Sequence, residues 1–335
     1  IYDLKPIRPR ELAFDKTSLN LSMRFLFEGS GGENPEQEIF DALGALGRDY
    51  ELWIEAVEEK IPALAGNLRE AADRHLENCR QCLMRIMRGI EFLKTNEDAM
   101  LAFRLMNKAM LVQQFHSSII EFRELDSEYP SIPEGYKDLP GGERKWRPFQ
   151  LAFVLMNVAS MGNAEDPERA IVDLIWFPTG GGKTEAYLGV AAFTMAMRRL
   201  QGDMGGLDAS RGLSVIMRYT LRLLTVQQFH RATALICAME ALRRTDDETW
   251  GTTPFTIGLW VGQRVTPNDT ESSHEAIEAE RTGKRPTLSS PAQLTFCPWC
   301  GSEISAGRDI KVRRFGHDIG RTLIYCSVPR NRGQF

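Results

Sequence analysis

One stretch constrains this chain more than any other. The apolar run Ala170–Phe177 leads through Pro178-Thr179 into Gly180-Gly181-Gly182, and Lys183-Thr184 then opens a helical pattern. A run broken only by Asp173 fits a strand buried on both faces, as in a parallel sheet. Three glycines in a row let the backbone turn sharply and aim several N–H groups at one anion. The amino terminus of the following helix adds partial positive charge. Lys183 is placed to reach the β- and γ-phosphates of ATP and the Thr184 hydroxyl to sit on Mg²⁺, with Thr179 and Glu185 flanking the loop. The general G-x-x-x-x-G-K-T pattern lacks its first glycine here, because Phe177 stands in that place. The competing reading is a glycine-rich turn with no ligand. It must explain why strand, Lys-Thr pair and helix all fall in order.

Two further groups belong with this loop. Arg147-Pro148-Phe149-Gln150 lies upstream of the apolar run. A glutamine amide both accepts from adenine N6 and donates to N7, so Gln150 is a candidate base reader beside Arg147, with Trp146 or Phe149 available to stack. Arg-Pro-x-Gln is also an ordinary surface helix start. Downstream, Arg218, Thr220, Arg222, Thr225 and Gln228 sit where an expected strand, Leu213–Tyr219, gives way to an expected helix, Leu221–Arg244. Ligands bind at the carboxyl ends of parallel strands, and such donors suit a nucleic-acid backbone. A solvated helix start is the plain alternative.

Cys297-Pro298-Trp299-Cys300-Gly301 is a knuckle that wraps thiolates around tetrahedral zinc, its glycine freeing the tight turn. Cys326, on an expected strand Arg321–Ser327, is a third ligand. The fourth lies beyond Phe335, or is His317, or the site is degenerate. Zinc here is structural, since no acid is arranged as a general base. His75, Cys79 and Cys82 share a helix face, read as packing, and so do the methionines from Met84 to Met110.

Elsewhere the pattern is helical up to about Glu124, with an expected strand at Ser18–Phe27 and an amphipathic stretch at Glu51–Leu64. Leu68–Lys94 is a helix, Thr95-Asn96-Glu97-Asp98 a capping break, and the next helix runs to about Ser117. Asp126–Arg144 holds Pro130, Pro133, Pro140 and Gly141-Gly142, the composition of a connecting loop. After it helical and strand-like segments alternate: Trp146–Val158, Ala170–Phe177, Thr184–Leu200, Leu213–Tyr219, Leu221–Arg244 and Phe255–Val261. That order predicts a doubly wound α/β sheet. Three domains follow: a mainly helical one over 1–145, an ATP-binding one over 146–263, and a zinc-ribbon-like insertion over 264–335. Asp246-Asp247-Glu248 has the letters of an Mg²⁺-holding acidic pair but follows a helix, so it is set aside.

The 335 residues carry a net charge of −4, which argues against a protein that coats nucleic acid through bulk charge and says little about a motor. Six scattered cysteines in a chain this long indicate a reducing, cytoplasmic setting and metal binding rather than disulfides. No apolar run approaches the roughly 20 residues that cross a bilayer. The chain opens on Ile1 rather than Met, read as a missing true amino terminus.

At Phe177–Leu188 the sequence resembles superfamily 2 helicases. With Arg147–Gln150, Arg218–Thr225 and Cys297–Gly301 it is similar to the helicase subunits of DISARM anti-phage defence systems. That resemblance implies a RecA-like parallel-sheet domain, ATP and Mg²⁺ bound at Gly180–Thr184, adenine read by Gln150, and translocation on DNA carrying a single-stranded segment. It also implies a DrmB-like partner subunit. The acidic motif and second core domain of such a motor do not occur in this chain. The rival function is a nucleotide-gated DNA sensor or scaffold that does not unwind.

Overall fold

The computed structural model describes residues 19–124, 143–176, 180–219, 222–284, 289–315 and 319–327. The structure is predominantly helical, and its chain divides into two compact units, 1–111 with 143–215 and 112–142 with 216–335.

The first unit is built on helices α1 (Met23–Glu28), α2 (Pro35–Glu58), α3 (Gly66–Thr95), the first part of α4 (Glu97–Glu124), α5 (Pro148–Gly162) and α6 (Lys183–Gln201). Local chemistry sets their ends. Asn34 caps α2 by accepting from the Gln37 amide at 3.1 Å, with Pro35 at the first helical position. Asn96 accepts from Ala99 N at 2.8 Å, which separates α3 from α4 at the expected break. Helix α3 packs on α2 and α5, and α5 on α6. The contact of α3 with α5 is close because Gly89 has no side chain; a Cβ there would overlap the Leu155 carbonyl oxygen. Leu26, Ile39, Leu43, Leu93, Phe103, Met106, Met110, Leu151 and Phe193 are fully buried, each worth about 1.5–3 kcal/mol of transfer free energy. Met100, Met106 and Met110 therefore act as packing, whereas Met84 and Met87 are exposed. His75 is exposed, and Cys79 packs against the cluster of Ile54, Ile61 and Leu76.

Charged groups fasten the 166–173 segment to α3. Arg85, itself buried, donates to Glu168 at 3.1 Å and to Asp173 Oδ2 at 2.8 Å. One turn on, Arg88 pairs with Asp166 and with Glu168.

The second unit holds the end of α4 together with α7 (Arg222–Thr245), α8 (Asp247–Trp250), α9 (Thr270–Arg281), α10 (Ala306–Asp309) and the antiparallel pair β1 (Ile310–Phe315) and β2 (Ile319–Ile324). The register runs from Ile310 opposite Ile324 to Phe315 opposite Ile319. Glu240 on α7 accepts from Arg243, Arg244 and the Phe255 amide, so one carboxylate ties the helix end to the chain beyond it. Asp246 caps α8 through Thr249 N, a structural use that agrees with setting the acidic triplet aside. No helix among the described residues is long and apolar enough to cross a membrane.

The expected RecA-like parallel sheet is not observed. Among the described residues the one sheet is the β1–β2 pair. Residues 171–176, 213–219 and 254–262 fall in no strand. Many of their apolar side chains face solvent, with Val172 93% exposed, Trp176 88%, Ile216 79% and Trp260 100%, while Phe255 is buried. A parallel strand needs neighbours that complete its ladder and cover both faces, and these segments have none among the described residues. Ser18–Phe27 is corrected as well. Ser22 makes one isolated bridge to Lys145 and then caps α1. The mainly helical part is upheld. The Asp126–Arg144 loop lies almost wholly outside the described residues.

Candidate functional site

In the first unit the glycine turn meets the amino end of α6. Gly180 and Gly182 adopt φ of +80° and +83°, a region open chiefly to glycine. Gly182 is the N-cap of α6 and, being glycine, brings no side chain of its own to cap the helix. Such an end presents donors to an anion. Thr184 is buried, with its hydroxyl 3.5 Å from that of Tyr187, while Lys183 and Glu185 are half-buried. Phe177, Pro178 and Thr179 lie outside the described residues.

Helix α5 braces this turn. Arg147 Nη1 donates to Gly181 O at 2.6 Å, and Gln150 Nε2 donates to Gly182 O at 2.7 Å. Gln150 Oε1 accepts from Arg147 N at 2.8 Å, so both ends of its amide are held by the protein backbone. A Cβ on Gly182 would stand 2.6 Å from Gln150 Nε2 and 3.3 Å from Glu185 Oε2. Close approach and positive φ both demand glycine there. Trp146 has a core role: it is buried and donates from Nε1 to Asn107 Oδ1 at 2.7 Å. Phe149 is half-buried. The structure thus brings Arg147 and Gln150 onto the glycine turn, as their sequence proximity suggested.

In the second unit Arg218 is exposed on the extended 213–219 segment, and Thr225 and Gln228 are half-buried on α7 at helical spacing of three. Thr220 and the side chain of Arg222 lie outside the described residues.

The cysteine knuckle is a tight hairpin. Cys297 N donates to Ser302 O and Gly301 N to Cys297 O, both at 2.8 Å, and Gly301 turns the chain at φ +67°. Tyr325 N donates to Asp309 O, which carries the end of β2 back toward Cys326. The sulfurs of Cys297, Cys300 and Cys326 all lie within 4.8 Å of one another, with Cys300 and Cys326 3.5 Å apart. Zn–S bonds of about 2.3 Å in a tetrahedron set sulfur atoms about 3.8 Å apart, so this cluster fits a zinc-class ion. The Cys297 thiol donates to Cys300, and with further bonds from Ser302 and Cys326 this pushes the Cys300 pKa down to about 5 despite burial. Cys297 moves the opposite way, since it keeps the shared proton. His317, a candidate fourth ligand, lies outside the described residues.

Two groups near the cluster carry no local motif. His116 on α4 stacks on Trp299 with ring centroids 3.5 Å apart, and its Nδ1 lies 2.7 Å from Trp299 O. Burial pushes its pKa down to about 4. Cys237 on α7 has its thiol pKa pushed up to about 12, first by burial and then by charge on Cys300 and Cys326. A count of cysteines would have flagged Cys237; nothing local singles out His116.

These sites define a class: a mainly helical protein joining a glycine-turned helix terminus to a three-cysteine knuckle. Within it the chain is similar to the DISARM protein DrmA of Bacillus paralicheniformis (strain ATCC 9945a / NCIMB 11709 / CD-2), at 35% identity over 302 residues. That match covers 87% of this chain and 26% of DrmA, so the chain spans about a quarter of its relative's length. No family model matches. The resemblance read from the motifs is upheld: along most of its length the chain resembles DrmA.

Proposed function

We propose that this chain supplies the nucleotide-binding part of a DNA-dependent motor in a DISARM-type anti-phage defence complex. The observation that carries this reading is the amino end of α6. It starts at a glycine N-cap, Gly182, with Lys183 and Thr184 in its first turn, and Arg147 and Gln150 hold the turn from α5. ATP-Mg bound there would supply a transferable γ-phosphoryl group. Lys183 balances the charge of the phosphates, Thr184 offers its hydroxyl to Mg²⁺, and Gly180 to Gly182 let the backbone approach closely. Gln150 reads adenine only after giving up its bonds to Arg147 and Gly182, so base recognition and loop shape are coupled through one amide. Arg218, Thr220, Arg222, Thr225 and Gln228 contact the DNA backbone, and a DrmB-like subunit is the protein partner in the cytoplasm. Cys297, Cys300 and Cys326 hold structural zinc.

The similarity to DrmA supports the defence context. The test is DNA-stimulated ATPase activity of the full-length protein. Stimulation in the wild type that Lys183→Ala abolishes is expected. A wild type with no DNA-dependent turnover sinks the motor reading.

A further inference from the structure

The stretch 310–324 holds Lys311, Arg313, Arg314 and Arg321 against one acid, Asp318, in a chain of net charge −4. In the β1–β2 register Arg313 stands opposite Arg321, and Lys311 opposite Leu323. Paired residues, and residues two apart on a strand, share a face, so these four lie on one side of the hairpin. Lys311, Arg313 and Arg321 are exposed there, and Leu323 is half-buried. Just past β2, Tyr325 joins the row: it is 38% exposed, and Lys311 Nζ lies 5.8 Å from its ring centroid. The opposite face turns inward. Ile310 is buried, and a Cβ on Gly320 would stand 2.3 Å from Thr270 Cγ2 on α9. We propose that the outward face of this hairpin binds a single strand of DNA, with Lys311, Arg313 and Arg321 on its phosphates and Tyr325 against a base. This takes DNA as the substrate from the function proposed above and adds a contact surface in the second unit.

Like charges directly opposite each other destabilise a sheet. Arg313 and Arg321 are such a pair. Among the described residues no carboxylate pairs with either of them or with Lys311; the neighbouring acids are taken, Glu278 by Arg281 at 2.8 Å and Asp309 by Arg308 at 2.9 Å. A polyanion laid along the face removes this repulsion. Lys311 and Arg313 stand about 6.8 Å apart along the strand, a step suited to successive charges of an extended backbone. Carboxylate side chains of an acidic protein would meet the same cations but offer no flat ring to Tyr325. An unpaired base does, and base–aromatic stacking beside a positive track is how single strands are held without regard to sequence. In a duplex each base is covered by its neighbours, so the ring favours a single strand.

The experiment measures binding of a fluorescent oligothymidine to the 335-residue protein, without nucleotide, over a series of salt concentrations. Each phosphate contact on a single strand contributes about 0.7 to the slope of log affinity against log salt. Changing Lys311, Arg313 and Arg321 together to glutamine is expected to lower that slope by about 2, and the affinity near about 0.1 M salt at least about tenfold. Tyr325→Leu is expected to weaken binding about fivefold or more and to leave the slope unchanged. Changing Lys60, Arg69 and Lys94 to glutamine removes as much charge from exposed positions of the first unit and should match the wild type. A wild-type slope in the hairpin triple variant, or wild-type affinity in Tyr325→Leu, overturns the proposal. So does competition by polyglutamate as effective as that of unlabelled oligothymidine of equal charge, which would make the face a surface for acidic protein. A wild type that binds no oligonucleotide overturns it too. Should the triple variant not fold, Arg313→Gln alone decides: a slope lower by about 0.7 is expected, and an unchanged slope counts against the proposal. The motor reading fails separately, if DNA does not stimulate ATP turnover, and hairpin binding measured without nucleotide then still stands.

Discussion

Replacing Arg85 by methionine tests how the approach to the glycine turn is held. The guanidinium is 9% exposed and faces Asp173 and Glu168, whose side chains are 15% and 17% exposed. Removing one partner of a buried pair and leaving the other charged typically costs about 3–5 kcal/mol. Arg88 still pairs with Glu168, so the uncompensated charge is chiefly that of Asp173, and the lower end, about 3 kcal/mol, is expected. Methionine fills much of the volume, so little of this loss is cavity. Urea unfolding of the first unit, followed by far-UV circular dichroism, measures it. Adding Asp173→Leu to Arg85→Met should recover at least about 1 kcal/mol, because a packed apolar pair can replace a buried ionic one. An Arg85→Met protein within about 0.5 kcal/mol of wild type refutes the anchoring argument, since ordinary surface substitutions fall in that range.

Two other outcomes follow from the sites. Gln150→Ala removes the two bonds of that amide, to Gly182 O and from Arg147 N, at net values of about 0.5–1.5 kcal/mol each. It should weaken binding of both ATP and GTP, and of ATP the more, since the same amide reads adenine; an equal loss for the two would leave Gln150 a brace and remove it as the base reader. His116 supplies a pH dependence. Its folded pKa of about 4 lies below the ordinary value near 6.5, so the folded state binds fewer protons; its contribution is complete above pH 6.5 and disappears as pH falls toward 4. By pH 5 the loss is about 2 kcal/mol. Urea midpoints at pH 8 and pH 5 for wild type and His116→Phe should show that difference in the wild type alone. Parallel shifts in both proteins would remove His116 as the cause.

The sequence made some of this legible and hid the rest for physical reasons. The break between α3 and α4 was readable because Asn96 caps with its own side chain, a local act. The bounds of α6 and α7 likewise fell within a residue or so of those expected, since long helical patterns carry their own periodicity. The three-cysteine cluster was readable because two of its cysteines share one hairpin. The apolar runs at 171–176 and 213–219 misled. Hydrophobicity says that a segment is suited to burial, not which strands lie beside it. Asp173 appeared as a flaw in a strand, whereas it is the partner of an arginine 88 residues away. Gln150 was read for its free amide, yet the backbone of the turn holds both its ends.

On the function proposed above, the amino end of α6 grips a triphosphate. Titration of the protein with a fluorescent ATP analogue and Mg²⁺ addresses it without requiring turnover. The wild type should bind, and Lys183→Ala should bind at least about tenfold more weakly, the loss of one charge-assisted contact of about 1.5–3 kcal/mol. Equal affinity in the two proteins, or none in the wild type, would contradict it.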